Sequence, residues 1–181
     1  MEIIIILIII LLFVIMYLFS KYNKLVKLRN SVKQSRSGID VYLNQRFDLI
    51  PNLVECVKGY TNYEKSTLEN IIKLRTEYMN NKNLKEAENL NNSMNSILAV
   101  AESYPELKAS EQFLNLQKNL EKMESQLQAA RRIYNNDVTK YNTTIETVPT
   151  NIIAGLFSFK NEPLFEIEEY KRENIKIEGI L

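Results

Sequence analysis

The chain has no histidine and no tryptophan, a single cysteine, and only four glycines and four prolines among 181 residues. Each shortage excludes something. Without histidine there is no usual general base, no usual zinc ligand, and neither a serine-type nor a papain-type triad. One cysteine, Cys56, rules out an intramolecular disulfide and fits a reducing compartment. So little glycine and proline leaves few turns, which favours long helices. With acids and bases interspersed and a formal net charge of +1, no broad nucleic-acid-binding face is expected.

What the chain does have is an unbroken apolar run from Ile3 through Leu11 to Phe19, followed by Lys21, Lys24, Lys27, Arg29, Lys33 and Arg36 before any acid. As a helix rising ~1.5 Å per residue the run is about 25 Å long, slightly short of the ~30 Å hydrocarbon slab, with Tyr17 and a snorkelling Lys21 extending its reach. A cleaved secretory signal would carry a basic stretch ahead of the core and small residues behind it. Glu2 is the only charged side chain ahead, and Tyr17-Leu18-Phe19-Ser20-Lys21 has no cleavage pattern, so residues 1–20 are expected to stay as a single transmembrane signal anchor. Basic residues flank only the C-terminal side. The positive-inside rule therefore predicts a short outside N-terminus and a cytoplasmic C-terminal domain, and the membrane is expected to be the plasma membrane.

Beyond the anchor, apolar residues recur in steps of three and four. One stripe is Leu25, Leu28, Val32, Ile39, Leu43, Phe47; a second is Ile50, Leu53, Val54, Val57, Tyr60, Leu68, Ile71, Tyr78. A third is Leu84, Ala87, Leu90, Met94, Ile97, Leu98, Ala101; the longest is Phe113, Leu116, Leu120, Met123, Leu127, Ala130, Tyr134, Val138, Tyr141, Ile145. Such spacing is the buried face of helices packed on helices. Asp48 is a candidate cap for a helix with Pro51 in its first turn, Asn83 with Glu86 resembles a capping pair, Tyr104-Pro105 ends the third helix, and Ser110 can cap the fourth. Short links force antiparallel neighbours. The expected fold is all-α: the transmembrane helix, then an antiparallel four-helix bundle over residues 21–148. The boundary at Phe47 to Pro51 admits either a hairpin or one kinked helix.

If the first bundle helix continues the anchor, the fourth returns to the bilayer near Ile145. The apolar segment that follows, with Ile152, Ile153, Leu156, Phe157 and Phe159, then either straps the bundle's own core or touches headgroups. It opens the last expected region, 149–181, which closes in a charged tail from Glu166 to Leu181 without a sustained stripe.

Candidate chemistry is sparse. Cys56 has Glu55 and Lys58 beside it and no imidazole to activate it. Glu86, Glu88, Glu121 and Glu124 could be pictured as di-metal ligands, but that site also uses Glu-x-x-His pairs. No catalytic residue, metal or cofactor is expected. Tyr134-Asn135 and Tyr141-Asn142 repeat at a spacing of seven, so the tyrosines share one face and the asparagines the next position round. The tyrosine rings can bury while each hydroxyl seeks a partner such as Asp40, Asp48 or Asn52, either as a layer that fixes helix register or as a ligand or partner pocket.

Several blocks resemble the LemA family: Tyr22-Asn23-Lys24-Leu25-Val26, Ile39-Asp40-Val41, Arg46 to Glu55, Lys58-Gly59-Tyr60, Ala99 to Ala109, Ala130 to Asn135, Tyr141-Asn142-Thr143, and Pro149 to Phe159 with Pro163 and Phe165. The resemblance implies a bacterial single-pass membrane protein with a cytoplasmic helical bundle and no recognised catalytic residues or cofactor. A relative takes part in building magnetosome membranes, which implies a membrane-organising role. Here Ser35-Arg36-Ser37-Gly38 stands where relatives usually carry Ala-Trp-Ser.

The functional expectation is a non-enzymatic scaffold or adaptor holding an unidentified membrane or cytoplasmic protein at the bilayer. The alternative is a sensor or binding module that takes a small molecule or peptide at the tyrosine-lined layer. Long exposed helix faces leave a homo-oligomer open as well.

Overall fold

The structure is a computed structural model that describes residues 1–58, 65–82, 84–101 and 103–165. Tyr60, Asn83 and the tail from Glu166 to Leu181, which figured in the expectations above, lie outside the described residues. Among the described residues all regular structure is helical: α1 (Glu2–Phe47), α2 (Ile50–Lys58), α3 (Lys65–Asn81), α4 (Leu84–Ala101), α5 (Pro105–Lys108), α6 (Glu111–Glu146) and α7 (Thr150–Leu156). The apolar stripes are the cause. Of their members whose burial is described, all are buried except Leu28, Leu98 and Met123, which are half-buried.

The chain forms two compact units, with boundaries inside α1 and α6: residues 1–35 with 131–181, and residues 36–130. In the unit spanning 36–130, α3 packs on α4 and α2 packs on both. The stripe from Ile50 to Tyr78, read from sequence as one helix, is therefore carried by two rods, because apolar periodicity does not record where a chain breaks. At the Phe47–Pro51 boundary helical bonding persists. Asp48 N–H reaches the Asn44 carbonyl at 2.9 Å, Leu49 N–H the Arg46 carbonyl at 3.2 Å, and Leu53 N–H the Leu49 carbonyl at 3.0 Å. That joint is a kink, and Pro51 costs nothing in the first turn of α2, where its missing N–H has no helical acceptor. Tyr104, in extended backbone before Pro105, separates α4 from α5.

In the unit formed by 1–35 and 131–181, α6 is followed by a cis Val148–Pro149 bond, by α7, and by an extended strap over 159–165. The C-terminus of α7 closes as a Schellman motif. Ser158 takes a φ of 56°, its N–H bonds the Gly155 carbonyl at 3.3 Å, and Phe159 N–H bonds the Ala154 carbonyl at 2.9 Å. That closure turns the chain from helix into strap.

Candidate functional site

The apolar run is the first feature. Large side chains from Ile3 to Phe19 are exposed throughout, Ile3, Leu11 and Phe19 among them, and this part of α1 is long and apolar enough to cross a membrane. Exposing so many contiguous apolar side chains to water would be costly, and a hydrocarbon environment removes that cost. At its end the Lys21 ammonium lies 5.0 Å from the centre of the Tyr17 ring, a cation–π contact, while Lys24 and Lys27 are exposed.

Just beyond, Tyr22 receives two rings from the far end of the sequence. Phe157 sits 4.8 Å away and Phe159 5.9 Å away, centre to centre, and the Arg29 guanidinium lies 5.0 Å from the Phe159 ring. The sequence places Arg29 in the basic flank and Tyr22 in a family-like block, but neither signals this aromatic cluster. Ile153 is buried, whereas Ile152, Leu156 and Phe157 are exposed, so α7 buries one face only.

The second feature is a clamp on α6. The Asn135 side-chain amide donates to the Phe165 carbonyl at 3.0 Å, and its oxygen accepts the Phe165 N–H at 2.7 Å. One heptad later Asn142 does the same to Glu162, at 2.8 and 3.0 Å. The Tyr134 hydroxyl donates to the Pro163 carbonyl at 2.9 Å, and the Arg131 guanidinium covers the Phe165 ring at 4.7 Å. Tyr134, Asn135 and Asn142 thus all bond to the strap's main chain. A seven-residue helical step is about 10.5 Å, and three extended residues cover about 10 Å, so the two repeats stay in register. Tyr141 is buried on the same stripe. Burial raises its pKa most, Glu162 adds to the rise, and Arg29 opposes it.

The third feature is charge inside residues 36–130. Arg46 falls on the buried stripe between Leu43 and Phe47 and pairs with Glu124 of α6. That stripe position was the signal that could have marked it. Arg75 donates to the Asp48 carboxylate at 2.7 Å and to the Phe47 carbonyl at 2.9 Å, tying α3 to the α1–α2 joint. Asn52 is exposed and Asp40 half-buried. Asp40 adds to the burial that lifts Tyr78 to about 12. Cys56 is half-buried, its thiol pushed up by desolvation and by Glu55, which disfavours the thiolate a nucleophile needs. Among the described residues no group of three or more His, Cys, Asp or Glu side chains is placed to hold a metal.

A helical body continuous with an exposed membrane-length helix defines the class, a membrane-associated all-α protein. The chain belongs to the LemA family, whose model matches residues 35–178. It is 27% identical to Protein LemA of Metamycoplasma hominis over 84% of this chain and 72% of that protein. It is 23% identical to Magnetosome protein MamQ 2 and to Magnetosome protein MamQ 1 of Paramagnetospirillum magneticum, over 82% of this chain and 66% of each relative.

Proposed function

We propose that the protein is a non-enzymatic, single-pass protein of the plasma membrane whose helices form an antiparallel four-helix bundle on the cytoplasmic side. The bundle serves as a scaffold or adaptor that holds a partner protein at the bilayer. The observation that carries this reading is the exposed apolar run from Ile3 to Phe19 passing without interruption into a helix whose next turns are built into a folded body. Lys21, Lys24 and Lys27 on one side only support the orientation, and relatives named as magnetosome proteins support a membrane setting.

Topology is tested with single cysteines at Glu2 and Lys160 in a Cys56→Ala background and a membrane-impermeant maleimide. The expected result is labelling at position 2 in intact cells and at position 160 only after permeabilisation; the reverse pattern overturns the orientation. For the scaffold role, cross-linking in whole cells followed by mild-detergent purification should return one reproducible protein partner, and recovery of this chain alone would count against it.

A second reading has one observation behind it. Asn135 and Asn142 address main-chain groups only, a mode of recognition that suits any extended peptide. In a sensor or binding module the incoming ligand would displace residues 162–165. Such a ligand would raise the melting temperature of the detergent-solubilised protein in proportion to its occupancy.

A further inference from the structure

α7 is apolar on two sides, and only one of them is used by the protein. Thr150, Ile153 and Ala154 are buried against the body. On the other side Ile152 is 69% exposed, Leu156 77% and Phe157 53%, and Val148, just ahead of the helix, 80%. Spacing puts Ile152 and Leu156 on one stripe, four residues apart. From Thr147 to Phe159 there is no charged residue. A segment this apolar, facing outward from a well-packed inner face, is matched to a surface that is itself apolar.

Its position narrows the choice of surface. The Phe157 and Phe159 rings lie 4.8 and 5.9 Å from that of Tyr22, and Tyr22 is three residues past Phe19, where the apolar run ends. Three residues of helix are about 4.5 Å, within the headgroup layer in which amphipathic helices settle. The segment is also held in place. The Schellman closure at Ser158 and the Arg29 guanidinium against the Phe159 ring fix its end. Exposed Lys24, Lys27 and Lys160, with half-exposed Lys21, belong to the same unit and suit anionic headgroups.

We infer that the outward face of α7, formed by Val148, Ile152, Leu156 and Phe157, is an interfacial lipid-binding surface that enters the headgroup layer of the bilayer crossed by α1. It rests on the reading of α1 as membrane-spanning. The continuity of the two apolar surfaces through Tyr22 favours lipid over a second copy or another protein as the occupant. Two contacts with one bilayer set the tilt of the body against the membrane, which a single flexible stem would leave free.

The test uses the full chain, Cys56→Ala, reconstituted in vesicles of phosphatidylcholine and phosphatidylglycerol that contain no other protein. A fluorophore is placed by single cysteine at Phe13, Ile152, Leu156 or Glu121 and quenched by lipids spin-labelled near the headgroup or deeper in the chain. Several-fold stronger quenching at 152 and 156 than at 121, from the headgroup-proximal label, is the expected result. In a second variant, Ile152→Asn with Leu156→Asn, two exposed side chains change and the circular dichroism should not. Quenching of a label at Val148 should then fall to the level seen at 121. Quenching at 13 with none above the reference at 152 and 156 overturns the inference while leaving the spanning reading intact. An unquenched label at 13 takes both down, and a Val148 signal that survives the double substitution overturns the assignment of the face.

Discussion

Asn135 holds Phe165 by both main-chain groups, donating to its carbonyl at 3.0 Å and accepting from its N–H at 2.7 Å. Asparagine suits this task because one planar amide presents a donor and an acceptor side by side. Asn135→Ala removes both bonds and leaves the half-buried groups of the strap without them. The expected loss is about 1–3 kcal/mol in denaturant unfolding followed in detergent micelles. The strap is not helical, so helical content should hold while tryptic cleavage after Lys160 becomes faster. Unchanged cleavage would show that the clamp does not restrain the strap.

Arg46 and Glu124 set up a different energetic situation. The Arg46 side chain is 8% exposed and that of Glu124 32%. Removing the carboxylate takes a counter-charge from a buried guanidinium, and the partial exposure of Glu124 lets solvent recover part of the cost. Glu124→Ala is expected to destabilise by about 1–3 kcal/mol. Arg46→Met with Glu124→Leu is expected to lose less than Glu124→Ala alone, because no charge is then left in the core. Equal losses in the two variants would remove the pair from the account.

These two sites mark where sequence reasoning stops. Burial was legible almost residue by residue, since a stripe such as Leu120, Leu127, Tyr134, Tyr141 can be covered only by packing. Direction was not: α2 and α3 share one continuous stripe yet pack against each other. The clamp was half legible. The heptad pairs Tyr134-Asn135 and Tyr141-Asn142 announce a polar layer, but the partner of Tyr134, Asn135 and Asn142 is the backbone of residues 162–165, which any sequence presents alike. Arg46 was passed over because a charged residue inside an apolar stripe reads as an interruption until a carboxylate is found opposite.

Tyr78 is 1% exposed, meets Phe47 edge-on at 4.8 Å, and its hydroxyl has no hydrogen-bond partner among the described residues. Burial, with Asp40 adding to it, pushes its pKa from 10.0 up to about 12. In the native state the neutral phenol therefore persists where the unfolded chain would already ionise. The folded form binds more protons over that interval, so stability is full below about pH 10 and falls as pH rises towards about 12. Tyr78→Phe keeps the ring and discards the hydroxyl. It should equal or exceed the parent by up to about 1 kcal/mol at neutral pH and lose less stability between pH 10 and pH 12 than the parent does. Identical alkaline profiles for the two proteins would contradict this.

Gly38 and Ser158 are each the opposite of what their backbone favours. Gly38 lies inside α1, and a Cβ there would have nothing within 4 Å, so Gly38→Ala is expected to gain about 1 kcal/mol. Ser158 closes α7 at a φ of 56°, where an L side chain crowds its own backbone and glycine does not, so Ser158→Gly is also expected to gain about 1 kcal/mol. Each change acts on its own local backbone, and the double variant should gain about 2 kcal/mol in the same denaturant measurement. Ser158→Val puts a β-branched side chain at the same positive φ and is expected to destabilise. A gain with glycine and a loss with valine would assign the effect to backbone conformation, whereas equal losses with both would assign it to the serine hydroxyl.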